Sequence, residues 1–133
     1  MIHEHPIRVY YEDTDLAGIV YYANYLKFIE RGRSEWIAAL GVDQMQMRAR
    51  HGVVFAVRRV EADYLRPARF GEDLVVTTRL IAETGARILL EQEVLRRGEK
   101  LFSAQLTLVC LTEAGAPARL PAEIRQKMTP ALH

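Results

Sequence analysis

The stretch "EDTDLAGIVYYANYLKFIERGRSEWIAALG", residues 12–41, holds two different periods, and the change between them decides the fold. From Asn24 onward, Tyr25, Phe28, Ile29, Gly32, Trp36, Ala39 and Leu40 recur at three- and four-residue spacing, while Lys27, Glu30, Arg31 and Arg33 fall mostly off that stripe. This pattern predicts an amphipathic helix of about four or five turns, ended by Gly41. Gly32 in mid-helix costs roughly 1 kcal/mol against alanine, so its place on the apolar stripe predicts that another backbone comes close there. The helix should be buried under a sheet.

Upstream, Ile7, Val9 and Tyr11 alternate with Arg8, Tyr10 and Glu12, which predicts a strand with one buried face. Downstream, "VDQMQMRARHG" reads as a short helix or irregular link ending at Gly52, with Met45 as its inward anchor and His51 as a loop residue. Four long β-like runs follow: "VVFAVRRVEADYL", "DLVVTTRLIAET", "ARILLEQEVLRR" and "KLFSAQLTLVCLT". Pro67 with Gly71, Gly85 and Gly98 punctuate them, and such short breaks imply antiparallel neighbours. The tail "LPAEIRQKM" can add a last helical turn or two. One strand, one long helix and a run of long strands give an α+β architecture in which a curved antiparallel sheet wraps the helix. No repeat or linker divides the 133 residues, so residues 1–133 are expected to form one domain.

Composition narrows the function classes. Half of the residues are apolar and 26% are charged, as in globular proteins. With 18 Lys+Arg against 17 Asp+Glu, the formal charge of +1 supplies no basic field for nucleic acid. The N-terminal residues lack the charged and apolar regions of a secretory signal, and no apolar run approaches a membrane span; a cytoplasmic location is expected. Cys110 has no partner for an internal disulfide and sits in "LTLVCL", which predicts a buried structural thiol.

The segment between strand and helix carries the chemistry. Unpaired N–H groups at a helix start, with the positive end of the dipole, stabilise the oxyanion that forms when a carbonyl is attacked. Asp15, just upstream, can attack an activated acyl group or take a proton from water that does so, and Gly18 allows a tight approach. The same residues also suit a plain structural role, with Asp13, Thr14 and Asp15 as turn and capping residues. His3, Glu4 and His5 lack a third metal ligand at a recognisable spacing, and the calcium-loop pattern started by Asp13, Asp15 and Gly18 fails at Ala17 and Asn24. No metal is expected.

"VYYEDTDLAGIVYYANYLKFIERGRSEW" resembles the signature of the hotdog-fold acyl-CoA thioesterases, in particular the YbgC-type enzymes associated with the Tol-Pal system and the 4-hydroxybenzoyl-CoA thioesterases. "VEADYLRPARFGEDLVVTT" extends the similarity across most of the chain. The resemblance implies hydrolysis of acyl-CoA or related pantetheine thioesters, with no metal or redox cofactor. It matches Asp15 to the catalytic aspartate, as general base or nucleophile, and the backbone N–H of Tyr22 to the donor for the thioester carbonyl. Gly18 and Val20 hold the turn in that scheme. Many YbgC-type sequences carry histidine where this chain has Tyr22, so only the backbone role transfers. The family also implies a homodimer or homotetramer with acyl sites at the subunit interface, and a substrate carried by CoA or by acyl carrier protein.

Because CoA carries phosphates, basic groups should stand near the mouth of the site. Arg87, beside the Gly85 turn, is the first candidate, with Arg66 and Arg69 as alternatives. Two other functions stay open: an acyl-thioester hydratase, which would want a histidine in the motif, and a non-catalytic acyl-carrier or lipid-synthesis partner. His3, His5, His51 and His133 all lie outside the motif.

Overall fold

The computed structural model describes residues 1–132; His133 lies outside them. The central sheet is built from β3 (Asp73–Glu83), β4 (Arg87–Arg96) and β5 (Glu99–Thr112), joined by tight turns at Gly85 and Gly98. β1 (Ile2–Arg8) pairs with β3 on one side, and β2 (Val53–Tyr64) pairs with β5 on the other, all antiparallel. The order is therefore β1-β3-β4-β5-β2, with the short β6 (Pro117–Ala118) also on β5.

Two expectations about strands change. The break at Pro67 and Gly71 does not make neighbours of β2 and β3; residues 65–72 instead carry the chain across from one sheet edge toward the other. Arg96 secures this crossing, donating to the Pro67 carbonyl at 3.1 Å and to Glu72 at 3.0 Å. The first strand also lies earlier than its alternation suggested. It ends at Arg8; Val9 is buried, but Tyr11 is exposed in a 3-10 turn (Tyr11–Asp13) because the chain has already left the sheet.

α1 (Asn24–Ala39) lies on one face of the sheet and buries Tyr25, Phe28, Ile29, Gly32, Trp36 and Ile37. Ile37 takes the place expected for Ala39, which is exposed because the helix ends there and turns out through Gly41. At Gly32 the close neighbour is a side chain rather than a backbone: an added Cβ would overlap Val76 Cγ1 and lie 3.0 Å from Val76 Cβ. Beside it, fully buried Gln92 donates to the Ile29 carbonyl and to Thr78 Oγ1, both at 2.8 Å, and accepts from Arg33 at 3.0 Å. A buried amide satisfied on both ends fixes the helix in one place.

α2 (Gln44–His51) starts under an Asp43 cap, whose carboxylate accepts from the N–H groups of Met45 and Gln46, and ends at left-handed Gly52. Its inward anchor is Met47, 1% exposed, and not Met45, which sits in the capped first turn and is 83% exposed. His51 belongs to the last helical turn and pairs with Glu123 at 2.6 Å. That bond draws the Glu123 carboxyl below its usual range. α3 (Ala122–Met128) closes the structure with Ile124 and Met128 inward. Cys110 is buried, and burial pushes its thiol up to about 11. No helix among the described residues is long and apolar enough to cross a membrane.

The Gly32 contact makes a sign prediction. On helix propensity alone Gly32→Ala would stabilise by about 1 kcal/mol. Overlap with Val76 should instead destabilise the protein by roughly 1–3 kcal/mol. A chemical denaturation midpoint at or above wild type would contradict this seating of α1.

Candidate active site at the start of the central helix

Residues 9–23 leave β1 and return to α1 through a small hairpin. Its rungs are Tyr21 N–H to the Asp13 carbonyl and Asp15 N–H to the Ile19 carbonyl, both 2.9 Å, with a Thr14–Val20 bridge between them. Gly18 makes the reversal with φ +78. An added Cβ there would meet nothing within 4 Å, so Gly18 serves the positive φ and not a close approach. Val20 is buried, and its N–H donates to the Ala68 carbonyl at 2.8 Å, tying the hairpin to the 65–72 crossing.

Asp15 is exposed at this turn. Its Oδ1 accepts from the Ala17 N–H at 2.9 Å, while its other carboxylate oxygen has no partner among the described residues. The side chain is thus held by one oxygen and presents the second. Asp13, by contrast, is spent on structure: its side chain accepts from the Tyr10 N–H at 2.8 Å, and its carbonyl takes the Asn24 side-chain amide at 2.9 Å.

Tyr22 lies two residues before α1. The N–H groups of Tyr22 and Ala23 have no acceptor among the described residues. Both precede the positive end of the helix dipole, an arrangement suited to a carbonyl oxygen gaining charge. A cavity of about 330 Å³ opens beside them, lined by Val20, Tyr22, Tyr25, Tyr64, Leu65 and Arg66 among others. Its aromatic wall is continuous: Tyr25 stacks on Phe102 at 5.1 Å, and Tyr64 meets Phe102 edge-on at the same distance. The buried Tyr25 hydroxyl, raised by desolvation, accepts from Ala68 N–H at 3.2 Å.

Asp15, Gly18 and Val20 share the hairpin that leads into Tyr22, but of these four only Val20 and Tyr22 line the cavity, and Arg87 lies elsewhere. Arg87 pairs with Val109 and Tyr64 pairs with Phe102, so the two rows are seven β5 residues apart, about 23 Å at roughly 3.3 Å per residue. Arg87 lines a different cavity, of about 510 Å³, with Arg58 and Arg119. No acidic residue lines it, and none of the three arginines is in an ion pair among the described residues. Arg66 is at the nearer cavity but engages Glu99 at 3.2 Å, and the Arg69 backbone is tied to Glu72 and bridged to Ile19. His3 and His5 share one partly buried face of β1, with Glu4 on the other.

Sequence reasoning gave no place at the site to Asn24, Tyr64, Arg58 and Arg119. Asn24 could have been found, since an asparagine at a helix start commonly bonds backbone nearby. The others reach their places through strand pairing that no local pattern reveals.

The profile of the thioesterase-like superfamily matches residues 9–128. An acyl-CoA thioesterase YbgC of Haemophilus influenzae is 36% identical over 121 residues, covering 90% of this chain and 89% of that protein. An acyl-CoA thioester hydrolase YbgC of Escherichia coli is 32% identical over 127 residues, covering 91% and 94%. The crystal structure of a probable thioesterase from Bartonella henselae superposes with a TM-score of 0.88 at 37% identity, covering 91% of this chain and all of that one. With its α+β hotdog fold, the chain belongs to the thioesterase-like superfamily and, within it, stands with the YbgC acyl-CoA thioesterases.

Proposed function

We propose that this protein hydrolyses acyl-CoA thioesters to a free acid and CoA. The observation that carries the reading is the hairpin that sets a half-engaged carboxylate, Asp15, just ahead of two unpartnered N–H groups at the start of the buried helix. The thioester carbonyl accepts from the Tyr22 N–H, and Asp15 either attacks the carbonyl carbon or takes the proton of an attacking water. Thiolate leaves readily, so departure requires no strong general acid. That suits a site whose hairpin, helix start and cavity lining carry no histidine: His51 is at the end of α2, engaged with Glu123, and His3 and His5 are on β1. No metal or redox step enters this scheme. The lone buried thiol suits a cytoplasmic, reducing location.

The functional unit in this reading is a homodimer, alone or doubled into a tetramer. β2 is a twelve-residue edge strand whose residues from Val57 to Tyr64 are exposed, whichever face they point to. A long edge of this kind, carrying Val57, Val60 and Tyr64, invites pairing with a second copy. Antiparallel pairing of two β2 strands about Val60 would set Ala56 of one copy beside Tyr64 of the other. Arg58, Arg87 and Arg119 of the second copy would then approach the cavity beside Tyr22 and serve the phosphates of CoA. Acyl carrier protein, whose phosphopantetheine arm keeps one phosphate but lacks the nucleotide, would offer them fewer phosphate groups.

Three outcomes are expected. Asp15→Asn keeps the fold and loses at least about a hundredfold in thiol release from acyl-CoA, roughly 2.7 kcal/mol of transition-state stabilisation; near-wild-type release would remove Asp15 from the chemistry. Arg87→Ala and Arg119→Ala should each raise KM for acyl-CoA about tenfold, in line with roughly 1.5–3 kcal/mol for a hydrogen bond to a charged group. Neither should change the rate on an acyl-pantetheine lacking the nucleotide, and equal effects on both substrates would remove the arginines from phosphate binding. Sedimentation at micromolar concentration should show a dimer or tetramer; a monomer would exclude the shared site.

A further inference from the structure

The Tyr22 and Ala23 N–H groups can bind a developing oxyanion only if their two peptide planes hold still. The first plane, Tyr21–Tyr22, is pinned through its carbonyl, which accepts from the Asn24 N–H at 2.8 Å. In a planar trans peptide the N–H points opposite to the carbonyl, so this bond aims the Tyr22 N–H away from the helix turn. It is a backbone bond that nearly any sequence would make there.

The second plane, Tyr22–Ala23, is held differently. Its carbonyl accepts from the hydroxyl of Tyr64 at 3.0 Å, a residue 42 positions away at the end of the edge strand β2. No other group among the described residues bonds that carbonyl. The Tyr64 ring is itself fixed, edge-on to Phe102 at 5.1 Å and to Tyr25 at 5.6 Å, and it lies 6.1 Å from the Tyr22 ring. Desolvation raises the hydroxyl above its ordinary value, so it remains a donor at neutral pH.

We propose that Tyr64 is a positioning residue for thioester hydrolysis: its hydroxyl locks the Tyr22–Ala23 peptide so that the free Ala23 N–H keeps its direction beside the Tyr22 N–H through the reaction. This rests on the thioesterase reading above. Tyr64 does not touch the reacting atoms in this role. A carbonyl that accepts a hydrogen bond also makes the N–H of the same peptide a better donor, so Tyr64 strengthens Ala23 N–H as well as aiming it. Phenylalanine would keep the ring packing and lose only the lock.

The test is Tyr64→Phe in the full-length protein, assayed for thiol release from acetyl-, decanoyl- and benzoyl-CoA. The expected result is a roughly tenfold fall in kcat, less than the hundredfold or more that follows removal of an oxyanion donor, with KM within about twofold of wild type and the thermal midpoint unchanged. A second measurement uses a ketone analogue of acyl-CoA, with sulfur replaced by methylene and the carbonyl labelled with carbon-13. Its bound carbonyl resonance should move upfield in Tyr64→Phe, as a weaker hydrogen bond requires. An unchanged kcat, an unchanged carbonyl resonance, or a loss that follows the thermal midpoint would each overturn the assignment. If wild type releases no thiol from any acyl-CoA, the thioesterase reading fails separately, and the carbonyl resonance alone decides the role of Tyr64.

Discussion

Every part of the candidate site takes its position from how deeply α1 sits on the sheet. That depth is set where Gly32 meets Val76, with no room for even a methyl group, and where the buried amide of Gln92 bonds the Ile29 carbonyl of the helix and Thr78 of the sheet. A helix held this way in its middle has little freedom at its start. Tyr25, in the first turn, stacks on Phe102 of β5 and accepts from Ala68 of the crossing segment. The turn carrying the free N–H groups is therefore anchored to both the sheet and the crossing segment before any ligand arrives, which is what preorganised stabilisation of charge requires.

The chemistry is divided among residues that look alike in sequence. Asp13 and Asp15 both precede the helix by a few residues, yet Asp13 caps the turn below it while Asp15 keeps a free carboxylate oxygen. Likewise Tyr21, Tyr22 and Tyr25 form a cluster in the chain but separate in space. Tyr25 is buried as a structural ring, and Tyr22 is exposed and lines the cavity. The difference comes from the hairpin geometry around Gly18, whose positive φ reverses the chain in the fewest residues.

Much of this was legible because it is local. The long helix, the four long strands and the Gly18 turn all follow from spacing and from residues with strong backbone preferences, whereas the weight placed on Asp15 rests on the family resemblance. Strand order was not legible, since β2 and β5 are brought together across residues 65–98 by pairing that leaves no periodic trace. Met45 and Met47 are separated by two positions and equally apolar; only the Asp43 cap, which sets the helix phase, decides that Met47 faces inward. Arg87 was picked for its turn, but its distance from Asp15 depends on sheet register, and Arg58 and Arg119 join it only through β2 and β6. Tyr64 reads in sequence as one more strand aromatic, and its bond to Tyr22 is visible only once the crossing places the end of β2 against the helix start.

The exposed edge of β2 and the candidate site are one problem in this fold. The strand ends at Tyr64, which braces the Tyr22 turn from one side, and its outer hydrogen-bonding edge has no neighbour among the described residues. An unpaired strand end frays readily, because its backbone groups exchange between water and protein partners. Fraying at Tyr64 would loosen its hydroxyl from the Tyr22 carbonyl and with it the peptide that aims Ala23 N–H. Pairing β2 with a second copy would therefore stiffen the donor turn in addition to bringing new residues to the cavity. In the proposed dimer, assembly and catalysis would then be coupled through a single strand.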